Sequence, residues 1–267
     1  MLDQANELRE LVRNCDRADD MYPLPRPGMI LVIGGKGGVG TTTLAVNLAI
    51  ALAQCKVHTI LAEAASPSGD VTLLCPSEEN IMPADLRILA ASPVSNDWAQ
   101  GSPLAEERLL EKLESPDTAA EMIVIDGGNH PHRLWSSLAR AAEMVLVVTT
   151  ADPASIIGAH AAMKMLRRTA KIKKIYTLVN QIHRASAAEE THQRLYRACR
   201  RFLGIRLRHA GCVSYDPVVN AAARKQLPFV LCAPNGRASR QVRALAENMA
   251  KEINASSAIV QTPAIPV

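Results

Sequence analysis

The residue types best suited to chemistry sit in one short stretch, Gly35-Lys36-Gly37-Gly38-Val39-Gly40-Thr41-Thr42-Thr43. It follows the apolar run Leu31-Val32-Ile33 and precedes a helix-period segment, Leu44 to Ala53. Strand, glycine turn and helix in that order make a phosphate cradle: backbone N–H groups curl around phosphate oxygens and the helix N-terminus adds a favourable dipole. Against the pattern G-x-x-x-x-G-K-[ST], Gly35, Gly40 and Thr42 fit, but Thr41 stands where lysine is expected. That substitution removes the cation that bridges terminal phosphates. Each charge-assisted hydrogen bond so lost is worth roughly 1.5–3 kcal/mol, or about one to two decades of affinity.

Such a cradle has to be positioned by strands and helices, and the chain supplies both in alternation. Candidate strands are Ile30–Ile33, His58–Ala62, Arg87–Ala90, Met122–Ile125, Val145–Thr149, Ile175–Val179 and Ala210–Val213, with Phe229–Leu231 as a further short apolar run. Helical periodicity falls at Thr42–Gln54, Pro103–Leu113, Pro131–Ala142, Ser155–Thr169, Ala187–Leu203 and Arg237–Ile253. The pattern predicts one α/β domain over residues 29–253, a mainly parallel sheet with helices on both faces. Ligands of such sheets bind at the carboxyl ends of the strands, where Gly34–Gly40 and Asp126 both fall. Ahead of the domain, residues 1–16 read as an amphipathic helix with Ala5, Leu8, Leu11, Val12 and Cys15 on one stripe. Residues 17–28 read as a linker carrying Pro23, Pro25 and Pro27, and residues 254–267 as a flexible tail.

Composition sets outer limits. An apolar fraction of 48% supplies a core, and with eight aromatic residues among 267 that core must be built from Ala, Leu, Val and Ile. The net charge of +4 names no partner. Six cysteines lack C-x-x-C or Cys/His ligand spacing, as expected of reduced thiols in a cytoplasmic protein. The N-terminus lacks the basic-then-apolar pattern of a secretory signal, and no apolar run reaches the ~18 residues of a membrane span. His130 and His132 form an H-P-H pair without a ligand cluster, which predicts surface loop histidines rather than a metal site.

Lys36-Gly-Gly-Val-Gly-x-Thr-Thr resembles the deviant phosphate loop of the MinD/ParA ATPases. The likeness continues through Val145-Leu-Val-Val-Thr-Thr-Ala-Asp-Pro-Ala-Ser-Ile157, through Leu178-Val-Asn180, similar to the base-recognition segment, and through Tyr215-Asp216-Pro217-Val-Val219, similar to the loop over the base. The N-terminal Asp3-Gln4-Ala5-x-x-Leu8-Arg9 resembles the D-Q-A-x-x-L-R element of the FlhG (YlxH) group, which governs flagellar number and placement. The resemblance implies ATP or ADP with Mg²⁺. Residues 35–43, Asn180, Asp216 and Pro217 would hold the nucleotide, and Thr42 and Asp126 the metal through water. It also implies a homodimer in which Lys36 reaches the partner's nucleotide, and an FlhF-like GTPase docked through Asp3, Gln4, Ala5, Leu8 and Arg9. Recruitment to a cell pole would follow from that partnership.

The departures from the resemblance bear on hydrolysis. Where the family has Asp-x-Asp, this chain has Glu63-Ala64-Ala65, so the carboxylate that orients the attacking water is missing. Asp126 keeps the strand-end carboxylate, while Gly127-Gly128-Asn129-His130 departs from the family's switch. Lys36, Asp126 and Glu63 are the remaining candidates for chemistry, and hydrolysis is expected to be weak or absent. One alternative is a slow ATPase that dimerises on ATP, with Lys36 replacing the missing lysine. Another is a polar-localisation scaffold resembling the TadZ/CpaE proteins, suggested by Gly69-Asp70-Val71, although the chain before Met29 is too short for their receiver-like domain.

Between Lys164 and Arg208 stand thirteen Lys and Arg residues and two acids, Glu189 and Glu190. Gathered on one face, they would meet an acidic partner, a flagellar basal-body component, nucleic acid or acidic lipid. No aromatic residues are interleaved for stacking on single strands. The tail beyond Lys251 has no Lys or Arg, which argues against membrane binding through the C-terminus.

Overall fold

Among the described residues, apolar runs too short for helices and bounded by glycine or polar turns become seven strands. They are β1 (Gly28–Gly34), β2 (Thr59–Glu63), β3 (Leu86–Leu89), β4 (Met122–Asp126), β5 (Met144–Thr149), β6 (Ile175–Ile182) and β7 (Leu207–Ser214). In the computed structural model, residues 27–64, 70–75, 81–89, 110–111, 113, 119–129, 133–169, 172 and 174–260 are described. The expectations for the N-terminal helix and its D-Q-A element, almost all of the linker, Ala65, His130, His132 and most of Pro103–Leu113 lie outside those residues. All described pairings are parallel, in the order β3-β2-β4-β1-β5-β6-β7. Strand β1 is central and buried along its whole length, as a strand covered by helices on both sides must be.

Among the described residues eight helices accompany the sheet: α1 (Thr41–Gln54), α2 (Asp70–Leu73), α3 (Arg133–Ala141), α4 (Pro153–Thr169), α5 (Ala185–Ala198), α6 (Pro217–Arg224), α7 (Phe229–Cys232) and α8 (Arg237–Val260). On one face, Ile30, Val32, Val124 and Leu146 pack under α1, α7 and α8. On the other, Leu31, Ile33, Ile125 and Val147 pack under α3, α4 and α5. The period-2 alternation within β1 therefore feeds two separate cores.

Four expectations change. Phe229–Leu231 is not a strand: after the extended Pro228 it turns into α7, where Val230 N–H donates to Asn47 Oδ1 at 3.0 Å. The segment at Asp216–Pro217 is not an open loop but the N-cap and first turn of α6, with Asp216 Oδ1 accepting from Val218 N–H at 3.1 Å. The helix expected to run to Leu203 ends instead in a π-turn, Cys199–Leu203, closed by left-handed Gly204 (φ 66°). The tail expected to fray from Asn254 stays helical to Val260, with neither Pro nor Gly in that stretch to stop it.

Helix α8 is pinned near the start of β6 and β7 by Glu252. Its Oε1 accepts from Arg208 Nη1 (2.7 Å), Lys174 Nζ (3.1 Å) and the Tyr176 hydroxyl, and the same Arg208 Nη1 donates to Tyr176 Oη at 3.0 Å. Burial alone would raise the Glu252 carboxyl, but the bonds from Tyr176 and Lys174 outweigh it and hold the group below its ordinary value of 4.5. A carboxyl depressed in the folded state stabilises above its unfolded value and loses that contribution as pH falls through the folded one. Glu252→Gln should therefore cost about 1–2 kcal/mol in urea denaturation at neutral pH. The gap between wild type and variant should narrow as pH drops below 4.5.

Candidate functional site

The central strand ends at Gly34, and the chain turns through Gly35–Gly40 into α1. Gly38 (φ 79°) and Gly40 (φ 88°) adopt the left-handed conformation that this turn requires. Three contacts fix the loop from outside. Gly34 N–H donates to the Gly128 carbonyl (2.8 Å), Asn180 Nδ2 to the Val39 carbonyl (2.8 Å) and Gln181 Nε2 to the Gly38 carbonyl (3.0 Å). Gly35 meets Gly158 of α4 backbone to backbone: a methyl group on either would lie 2.0–2.2 Å from the other's main chain.

Two buried carboxylates lie beside the loop, at paired positions on β2 and β4. Asp126 Oδ1 accepts from Gly128 N–H at 3.0 Å, and Glu63 Oε1 from Val71 N–H at 3.1 Å, which ties β2 to α2. Burial, with the Glu63 carboxylate adding to it, pushes the nearby Cys75 thiol up to about 11. Gly127 and Gly128 hold the base of the loop rather than standing free of it. Gly127 N–H donates to the Val32 carbonyl at 2.8 Å, and Gly127 O accepts from Trp135 Nε1 at 2.5 Å.

Lys36 projects from the exposed rim and pairs within the same chain with Asp152, Nζ to Oδ2 at 2.9 Å, both side chains about half exposed. Asp152 caps α4, accepting from Ser155 N–H (3.0 Å) and Ser155 Oγ (3.2 Å). The hydrogen bond from Lys36, then that from Ser155 N–H, hold the Asp152 carboxyl below its usual range. At the position of the expected lysine, the Thr41 hydroxyl is turned inward, 5% exposed and without a hydrogen-bond partner among the described residues. It lies against Gly34, where an added methyl would come within 2.2 Å of Oγ1.

A cavity of about 260 Å³ opens beside the loop, lined by Gly38, Gly40, Thr43, Asn180, Tyr215 and Asp216 among others. The loop together with this cavity fits a nucleotide in shape: an added Cβ on Gly38 would meet nothing within 4 Å, and the cavity adjoins the same glycines. The structure sets the loop beside Asn180, which bonds Val39, and beside Asp216 in the cavity lining, while Asp126 bonds Gly128, the residue that holds Gly34. Sequence reasoning did not single out Asp152, Gly158, Gln181 or Tyr215 as site residues. For Asp152 the signal was present, because Asp-Pro-x-Ser opening a helical pattern is a capping sequence.

The family described as CobQ/CobB/MinD/ParA nucleotide binding domain matches residues 30–229. This chain belongs to that family. Among characterised relatives, it is 28% identical over 247 residues to the antiactivator FleN of Pseudomonas aeruginosa, covering 86% of this chain and 87% of FleN. It is 21% identical over 236 residues to the flagellum site-determining protein YlxH of Helicobacter pylori, covering 81% and 80%. Solved structures share the MinD/ParA fold. A ParA family ATPase from Chlorobium tepidum superposes with a TM-score of 0.68 at 15% identity, over 84% of this chain and 99% of the other. MinD of Pyrococcus horikoshii, solved with Mg-ADP, superposes at 0.66 and 16% identity, over 89% and 100%.

The seat of this MinD/ParA loop depends on the Gly35–Gly158 contact. Gly158→Ala should force loop and helix apart and cost about 2 kcal/mol, read as a lower urea midpoint at unchanged m-value.

Proposed function

We propose that this protein is a FleN/FlhG-type regulator of flagellar number or placement that binds a nucleotide but hydrolyses it poorly, acting through an FlhF-like GTPase. The observation that carries the reading is the state of the loop's charge. The glycine cradle and its buttresses are intact, while Thr41 presents a buried hydroxyl in place of a cation and Lys36 is neutralised by Asp152. The loop's N–H groups and the dipole of α1 hold phosphate, the cavity beside Asn180 and Asp216 takes the base, and Thr42 and Asp126 hold Mg²⁺ through water. Bound Mg²⁺ supplies part of the positive charge that Thr41 does not. Glu63 is occupied with the start of α2, so it does not replace the carboxylate absent at Ala65. YlxH, a flagellum site-determining protein by name, supports the cellular role, and FleN, an antiactivator by name, supports a regulatory one. The D-Q-A element, Asp3 to Arg9, is the docking segment for the GTPase.

Titration calorimetry with Mg²⁺ and ATP tests the site. Thr41→Lys should tighten binding about ten- to a hundredfold, the value of one charge-assisted bond. Wild-type turnover should stay near background, and ATPase rates ordinary for MinD proteins would overturn the reading. Deleting residues 1–16 should abolish stimulation of the cognate GTPase while leaving nucleotide affinity unchanged.

A second reading has its own observation. The Lys36–Asp152 pair is exposed and spans loop and helix, so it can open when a second subunit offers phosphate instead. In that case the protein dimerises on ATP and turns over slowly. ATP-dependent dimerisation by light scattering, lost in Lys36→Ala, would favour this version.

A further inference from the structure

Five arginines crowd the end of the molecule opposite the phosphate loop. In a parallel sheet the crossover helices run back against the strands, so the C-termini of α4 and α5 arrive where the strands begin. There Arg167 and Arg168 stand in the last turn of α4, Arg200 and Arg201 lie in the π-turn, and Arg206 leads into β7. All five are exposed. Arg167 Nη1 donates to the Phe202 carbonyl (3.4 Å), and the Arg201 guanidinium lies 5.4 Å from the centroid of the Phe202 ring, itself 65% exposed. Glu252 neutralises Lys174 and Arg208, but none of the five arginines has an acidic partner among the described residues. Among the described residues, the outer stripe of α4, Ala161, Lys164, Met165 and Arg168, lines an open depression of about 440 Å³ at the same end.

We propose that the acidic N-terminal segment of this chain, residues 1–20, docks on this arginine end and the α4 depression, holding its own D-Q-A element against the body. Charge is the first argument. Residues 1–20 carry six acids against three arginines, with Asp16, Asp19 and Asp20 inside five residues, and arginine forks suit carboxylates. The segment also offers an apolar stripe, Leu8, Leu11 and Val12, at the spacing that fills a groove. Reach is the second argument. The chain enters the sheet at Gly28, at the same end of the strands, and β1 stands three positions from β7. At about 4.8 Å per strand that is roughly 15 Å. Residues 21–26, with Pro23 and Pro25, span about 3.1 Å each when extended, enough to bring Asp20 to the arginines. Docked, the segment shields the element that the GTPase would engage, so the partner has to displace it. That regulatory consequence rests on the partner-docking reading above; the docking itself does not.

Hydrogen exchange on the full-length protein tests it. Amides of residues 5–20 should exchange about tenfold more slowly at low salt than at high salt, as expected of a few exposed ion pairs. Arg200→Glu/Arg201→Glu should remove the protection, Asp19→Lys/Asp20→Lys should do the same, and the four changes combined should restore it. Unprotected amides in the wild type, or protection indifferent to Arg200→Glu/Arg201→Glu, would overturn the proposal. So would arginine-dependent binding of phosphatidylglycerol vesicles with the N-terminus unprotected, which assigns the face to lipid. If the segment is unprotected yet GTPase stimulation still requires residues 1–16, self-docking fails while the functional reading stands.

Discussion

The site depends on a steric constraint between two residues without side chains. Gly35 and Gly158 bring the turn after β1 and the first turns of α4 into main-chain contact, closer than any Cβ permits. Once that distance is set, the cap of α4 lies beside the rim of the loop. Asp152 can then reach Lys36, and β5, which carries α4, must lie next to β1. On the other side, Asn180 at the end of β6 clamps Val39, and Gly128 after β4 clamps Gly34. The loop is thus held by short contacts from α4, from the end of β6 and from the turn after β4.

The strands were largely legible in the sequence, because buried parallel strands read as unbroken apolar runs, and five of the seven both begin and end within two residues of where hydrophobicity places them. Strand β7 was less so: its polar and half-buried residues, Arg208 to Gly211, sit at the sheet edge, where one face lacks full cover. Phe229–Leu231 misleads because three apolar residues fit a strand or one turn of helix equally well. Pro228 and the contact with Asn47, 183 residues away in sequence, decide it. The turn was readable from its glycine spacing between an apolar run and a helix-period segment. The Lys36–Asp152 pair was not, since 116 residues separate its members and only the fold makes them neighbours.

The two buried carboxylates show how one residue type takes different duties from its surroundings. Asp126 and Glu63 end adjacent strands in register, yet each is committed to a different local N–H, Gly128 for Asp126 and Val71 for Glu63. The longer glutamate side chain spans from β2 to α2. The aspartate stays close to its own strand end, where Gly128, the residue that it accepts from, also holds Gly34 of the phosphate loop.

Charge is distributed unevenly between the two ends of the sheet. At the carboxyl ends of the strands, where a nucleotide would bring negative charge, the expected lysine is a buried threonine and the remaining lysine is matched by an aspartate. At the opposite end five arginines stand exposed, two of them, Arg167 and Arg201, in contact with Phe202. Backbone dipoles at the head of α1 attract an anion only over the first turn of the helix, whereas guanidinium groups act over a Debye length, about 8–10 Å. Long-range attraction for an acidic partner therefore arises at the arginine end, and the phosphate loop selects its ligand by contact. An acidic segment tethered at that end of the sheet is already present at high effective concentration, so an external polyanion has to compete with it before it can occupy the face.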